Sequence, residues 1–116
     1  MTGKLIYIRI DRTTLRIKDC RGFASIKGLM FDSMKDFDGA LIYGNAVWMP
    51  FVKHDLDLFF LDKNMNVLST AHAKPATFNP ATWRIYQDKR AKYCLEIRSG
   101  LITWKELRKI KTIEFL

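Results

Sequence analysis

Cysteine is scarce in this chain: Cys20 and Cys94 are the only two, and no Cys-x-x-Cys pair occurs. Together with two histidines, His54 and His72, they lack the spacing of a zinc site, so no metal is expected. One disulfide is arithmetically possible, but a reducing cytosol favours two buried or half-buried thiols. Long apolar runs are missing as well. The longest uncharged stretch starts at Gly39, is ended by Lys53 and contains Asn45 and Pro50, which falls short of a transmembrane span. A leader peptide is not expected, because Lys4, Arg9, Asp11 and Arg12 break up the first residues. No repeat, linker or low-complexity tract is present. These absences predict a cytoplasmic protein that does not use a membrane.

Catalytic signatures are also missing. No Ser-His-Asp order, G-x-S-x-G, P-loop or G-x-G-x-x-G occurs, and the isolated Gly28 and Gly39 offer no phosphate cradle. No cofactor is implied.

What is present is material for one core. The 116 residues suit a single domain, residues 1–116, and folding at this size buries about two-thirds of the unfolded surface. The chain is 48% hydrophobic and 13% aromatic. Its net charge of +8 is uneven. Residues 1–27 carry seven Lys/Arg and two Asp, residues 28–83 four Lys and six Asp, and residues 84–116 nine Lys/Arg and four Asp/Glu. Basic ends permit anionic partners, and they would also complement acidic middle strands lying beside them.

Period-two patterning dominates. Lys4 to Ile10 alternates, with Ile6, Ile8 and Ile10 on one face, and Thr14 to Lys18 alternates again, giving an opening hairpin. Asp19 followed by Arg21 to Lys27 and Gly28 reads as a capped short helix. Gly28 to Met34 is apolar and compact. Ala40 to Tyr43 and Ala46 to Met49 read as short strands, the second stopped by Pro50. Leu56 to Leu61 is the strongest strand, with Val67 to Ala73 as its antiparallel partner. Lys74 to Ala81 is a loop. Thr82 to Tyr86 and Lys92 to Ile97 read as strands around an Asp88-Lys89-Arg90 turn. Thr103 caps a helix from Trp104 to Lys109, with Glu106 completing a capping box, and Lys111 to Phe115 closes the chain as a strand. The predicted class is α+β and predominantly antiparallel β: a small, partly closed β-barrel with one or two short helices.

RGFASIKGLMF (Arg21 to Phe31), VWM (Val47 to Met49), LDLFFLDKNMNVL (Leu56 to Leu68) and YCLEIRSG (Tyr93 to Gly100) follow one another in the order of a known family. The chain resembles domain of unknown function family 192, an uncharacterised protein family, over roughly Arg16 to Leu116. The resemblance implies a compact β-barrel-like α+β fold found in bacteria and archaea, without an established activity. Gly28, Leu29 and Met30 match the family's Gly-Leu-Met, Trp48 and Met49 its Trp-Met, and Leu56 and Asp57 its Leu-Asp. Glu96 and Gly100 match the Leu-Glu and later Gly of the last core strand. Pro50-Phe51-Val52 and Asp32 depart from the basic and polar residues usual there, so a polar site built from them is lost or rewired.

Asp57 is the leading candidate site residue. It shares a strand face with Asp55, Phe59 and Leu61, where a carboxylate is costly to bury without a partner. It can serve a ligand or act as acid or base; as a structural acceptor it would hold loop N–H groups, Arg21 or Arg98. Trp48 and Met49, with Met30, could floor an apolar pocket having Asp57 as one polar wall. His54 falls on the strand face opposite Asp57, which argues against a shared metal. Glu96 shares a face with Cys94 and Arg98 and is expected to pair with Arg16 or Arg84. The leading expectation is a small soluble binding domain, a monomer, with a small-molecule pocket near Trp48, Met49 and Asp57. Two alternatives stand beside it: a nucleic-acid-binding module using the basic C-terminal third, where Tyr86, Tyr93 and Trp104 interleave with cations, and a small enzyme with Asp57 as acid/base.

Overall fold

The alternation of the first segment becomes strand β1 (Lys4–Ile10), in which Ile8 and Ile10 are buried and Leu5, Tyr7 and Arg9 exposed. It pairs antiparallel with β2 (Thr13–Cys20), with Ile8 opposite Leu15 and Ile6 opposite Ile17. The computed structural model describes residues 4–10, 12–21, 37–48, 54–76, 79–82 and 84–116, and for Trp48, Thr82 and Trp104 the backbone alone. The expected helix from Arg21 to Lys27, the Gly28–Met34 segment, Met30 and Met49 therefore lie outside the described residues, apart from Arg21.

β3 (Gly39–Tyr43) runs parallel to β2 and antiparallel to β8 (Tyr93–Arg98). β5 (Leu56–Leu61) lies between β8 and β6 (Val67–Ala73), and the β5–β6 hairpin forms as the patterning predicts. With β9 (Glu114–Phe115) on the outer side of β1, the described residues give the main sheet seven strands in the order β6-β5-β8-β3-β2-β1-β9. β4 (Ala46–Trp48) and β7 (Ile85–Gln87) form a separate two-stranded ribbon. Strands stand on both sides of the Asp88 turn as expected, but they do not pair with each other: β7 pairs with β4, while β8 lies in the main sheet.

All six residues of β5 are buried because both of its faces are covered. Leu56, Leu58 and Phe60 join Cys20, Ala40, Ile42, Cys94 and, from the ribbon, Val47 and Tyr86 in one apolar layer. Phe59 and Leu61 join Ile8, Ile10, Leu15, Ile17, Leu41, Leu95 and Ile97 in the other, together with Ile102, Leu107 and Ile113. Met65 and Ile113, from opposite ends of the strand order, pack on this second layer, so the sheet curls around it. The edges touch there: the Val67 N–H donates to the Lys111 carbonyl at 2.7 Å and the Ile113 N–H to the Met65 carbonyl at 3.1 Å. The result is a curled half-barrel of largely antiparallel strands, with almost no helix among the described residues.

Among the described residues the one α-helix is α1 (Trp104–Leu107), shorter than expected. Thr103 caps it as predicted, its hydroxyl accepting from the Glu106 N–H at 3.3 Å. No helix among the described residues is long and apolar enough to cross a membrane. Gly39 is required by packing, because a Cβ there would collide with the Glu96 backbone carbonyl on β8. Cys20 and Cys94 are buried and not joined in a disulfide. Ile42 stands between them in the strand register, so they sit two strands apart, about 10 Å, beyond disulfide reach.

Candidate functional site

β5 places Asp57 on the curled-in face of the sheet, in the row occupied by His72 on β6 and Ile97 on β8. Ser99, just past the end of β8, completes a polar cluster at this rim. The Ser99 hydroxyl lies 3.2 Å from Asp57 Oδ1 and 3.2 Å from His72 Nδ1, and His72 Nδ1 is itself 3.2 Å from the same oxygen. The other ring nitrogen, Nε2, is 3.2 Å from Asp55 Oδ2. Asp55 is held in place through its own carbonyl, which accepts from the Ser99 N–H at 3.0 Å. The Asp57 side chain is 8% exposed, whereas His72 and Asp55 keep 39% and 46%. A buried carboxylate here is thus reached through two solvent-facing neighbours.

Chemistry follows from who owns the protons. Buried Asp57 needs donors, and both donors in reach converge on Oδ1. When His72 Nδ1 carries a proton it donates to Asp57 and cannot take one from Ser99. A nucleophilic serine needs Nδ1 bare, yet either neutral tautomer leaves one ring nitrogen bare against a carboxylate oxygen, Nδ1 against Asp57 or Nε2 against Asp55, each at 3.2 Å. The arrangement holds a carboxylate, with Ser99 and His72 both in reach of Asp57 Oδ1. The expected partners of Asp57, Arg21 and Arg98, are replaced by His72 and Ser99. Arg21 instead forms a two-point pair with Asp19, at 2.9 and 2.8 Å.

Glu96 sits on the neighbouring strand and faces the other way. Its place opposite Ala40 and Leu58 puts the carboxyl into the apolar layer beneath the β4–β7 ribbon, where the residue is 5% exposed. Burial pushes its pKa up to about 7. Burial, and then the nearby Glu96, push the Cys94 thiol up as well. The expected ion pair with Arg16 or Arg84 does not form: Arg16 pairs with Asp38 at 3.5 Å, and Arg84 lies over the Tyr86 ring at 5.0 Å. Among the described residues no hydrogen bond reaches the Glu96 carboxyl.

The sequence-predicted pocket residues are therefore only partly brought together. Asp57 belongs to the rim cluster, Trp48 ends β4 opposite Ile85 in the ribbon, and Met30 and Met49 lie outside the described residues. His72 and Ser99 escaped sequence reasoning. His72 could have been found, because pairing Leu56–Leu61 with Val67–Ala73 from their outer ends sets it opposite Asp57. Ser99 carried no signal beyond a strand-ending Ser-Gly. Among the described residues no group of three or more His, Cys, Asp or Glu is arranged to hold a metal ion.

The model of domain of unknown function family 192, described as an uncharacterized ACR, matches residues 11–115. The chain belongs to that family. No curated protein shows significant sequence similarity to it. Two solved structures are similar in fold. One, from Sinorhizobium meliloti, is described as a candidate transcription regulator; it is 17% identical, with a TM-score of 0.70 over 97% of this chain and 91% of that one. The other, from Novosphingobium aromaticivorans, is a protein of unknown function; it is 20% identical, with a TM-score of 0.68 over 97% of this chain and 83% of that one. At these identities the likeness extends to the fold. Family membership carries the curled β architecture and no assigned activity.

Proposed function

We propose that this chain is a small single-domain binding module, with Asp57 as the polar anchor of a small-molecule site at the rim it shares with His72 and Ser99; Trp48 belongs to the ribbon over the opposite face of the sheet. The observation that supports this most is the one-sided use of Asp57. Both described contacts fall on Oδ1, so among the described residues Oδ2 has no hydrogen-bond donor. A ligand that donates an N–H or O–H to a carboxylate and presents a flat apolar body fits this chemistry. A catalytic role for Asp57 as acid or base is the weaker reading, since its described contacts, to His72 and Ser99, are ones that hold a carboxylate in place.

The test is a 1H–15N NMR titration of the full chain with benzamidine, which joins an amidinium donor to an apolar ring. Saturable shifts at the Asp57, His72 and Ser99 amides, lost in Asp57→Asn, are expected. Shifts that are absent, or that persist unchanged in Asp57→Asn, would overturn the proposal.

A second reading, nucleic-acid binding, is favoured by the exposure of the C-terminal cations. Arg84, Lys89, Arg90, Lys92, Lys105, Arg108, Lys109 and Lys111 are all exposed, and Arg98 half so. Electrostatic attraction to phosphates needs this and little more.

A further inference from the structure

The two ends of the curled-in face differ in chemistry. Four residues along β5 from Asp57, about 13 Å, the face ends at Leu61, which is paired with Tyr93. Tyr93 is paired on its other side with Tyr43, the last residue of β3. The two rings meet edge to face, centroids 5.7 Å apart and planes at 79°. Tyr43 keeps 58% of its surface exposed.

Cations converge on this pair. The Arg21 guanidinium lies 5.9 Å from the Tyr93 ring centre and the Lys92 ammonium 5.7 Å. Arg21 spends Nε and Nη2 on Asp19, which leaves Nη1 uncommitted among the described residues. Lys92 has no acidic partner among the described residues. Its backbone is fixed on both sides, the N–H donating to the Leu61 carbonyl at 2.8 Å and the carbonyl accepting from Gly44 at 2.8 Å. Lys63, exposed in the turn that follows Leu61, lies at the same end.

Tyr93 is already occupied by cations, so Tyr43 is the ring with room for a partner. A flat π-face beside positive charge matches a nucleobase with its phosphate: the base stacks and the phosphate meets Arg21 and Lys92. In a duplex the base faces are hidden. Reading a groove needs a longer helix or ribbon than the four residues of α1 or the three-residue strands of β4 and β7. We propose that this rim binds unpaired nucleotides, with Tyr43 as the stacking platform and Arg21 and Lys92 as the phosphate contacts. The proposal rests on the nucleic-acid reading above and moves its centre from the C-terminal third to the Tyr43–Tyr93 end of the sheet.

The test is fluorescence anisotropy of a labelled twelve-nucleotide oligo(dT), and of the matching oligo(U), against the full chain at low and physiological salt. Tyr43→Ala should weaken binding about tenfold and leave the salt slope unchanged, because stacking releases no counterions. Tyr43→Phe keeps the ring and should keep the affinity. Lys92→Ala should lower the log–log salt slope by about 0.7. Inorganic polyphosphate serves as the charge-only competitor. Binding that is indifferent to Tyr43→Ala and matched by polyphosphate overturns the stacking site while leaving the wider electrostatic reading standing. No binding to either oligonucleotide at low salt overturns both.

Discussion

Glu96 stands directly opposite Leu58 across the β8–β5 ladder, a carboxyl facing an isobutyl side chain within a buried layer. Leu58 offers no donor, and neither does Ala40 on the other flank. The cost of the charge therefore appears as a raised pKa of about 7 against an ordinary 4.5. In that interval the folded chain binds a proton that the unfolded chain has released, so stability falls as pH rises from about 4.5 to about 7. The loss is on the order of 3 kcal/mol. Urea midpoints for the wild type and Glu96→Gln should diverge across this range. The glutamine variant should be the more stable one at pH 8, and equal midpoints there would refute the burial argument.

The opposite slope is expected in acid. Asp19, held low by Arg21, and Asp88, held low by Arg90 and then Ser69, favour the folded state only while ionised. Their contribution is present above the ordinary carboxylate range and is lost as pH falls through it toward their depressed values. Asp88→Asn should flatten the acid limb of a stability–pH curve measured in urea.

Asp57 and Ser99 should be energetically coupled. The variants Asp57→Ala, Ser99→Ala and their combination form a cycle whose interaction energy, read from urea unfolding, is expected at about 1 kcal/mol. A value of zero would mean that the 3.2 Å contact carries no stability.

Two glycines should respond differently to the same substitution. Gly39→Ala drives a Cβ into the Glu96 carbonyl, part of the backbone of a central strand, and should cost about 3 kcal/mol. Gly100 has φ +95 and open space around it, so Gly100→Ala should cost only about 1 kcal/mol, as backbone strain. Thermal melts of both variants in one buffer decide the order.

Contact between the sheet edges is read by hydrogen exchange. The amides of Val67 and Ile113 are bonded across the β6–β9 gap, so they should exchange slowly although they flank edge strands. Fast exchange at both would mean that the curl stays open.

Much of this was legible in the sequence because period-two alternation is a local property. Leu56–Leu61 and Val67–Ala73 were delimited correctly, and the Thr103 cap needed nothing beyond three neighbouring residues. Strand partners were less accessible. Pairing of β7 with β4 depends on which layer has a face left to cover, and no window around Ile85–Gln87 contains that information. The same holds at the sites. That Asp57 would be buried followed from the apolar residues around it, but His72 as its partner required the β5–β6 register, and Ser99 the end of a third strand. Glu96 reads in sequence as the partner of a cation such as Arg16 or Arg84; only the β4–β7 ribbon packing over that face turns it into a buried carboxyl with a raised pKa. Sequence determined which residues alternate and where turns fall, since those are short-range preferences of the backbone. Tertiary structure decided which face each charge meets, because burial and partnership are set by strands distant in the chain.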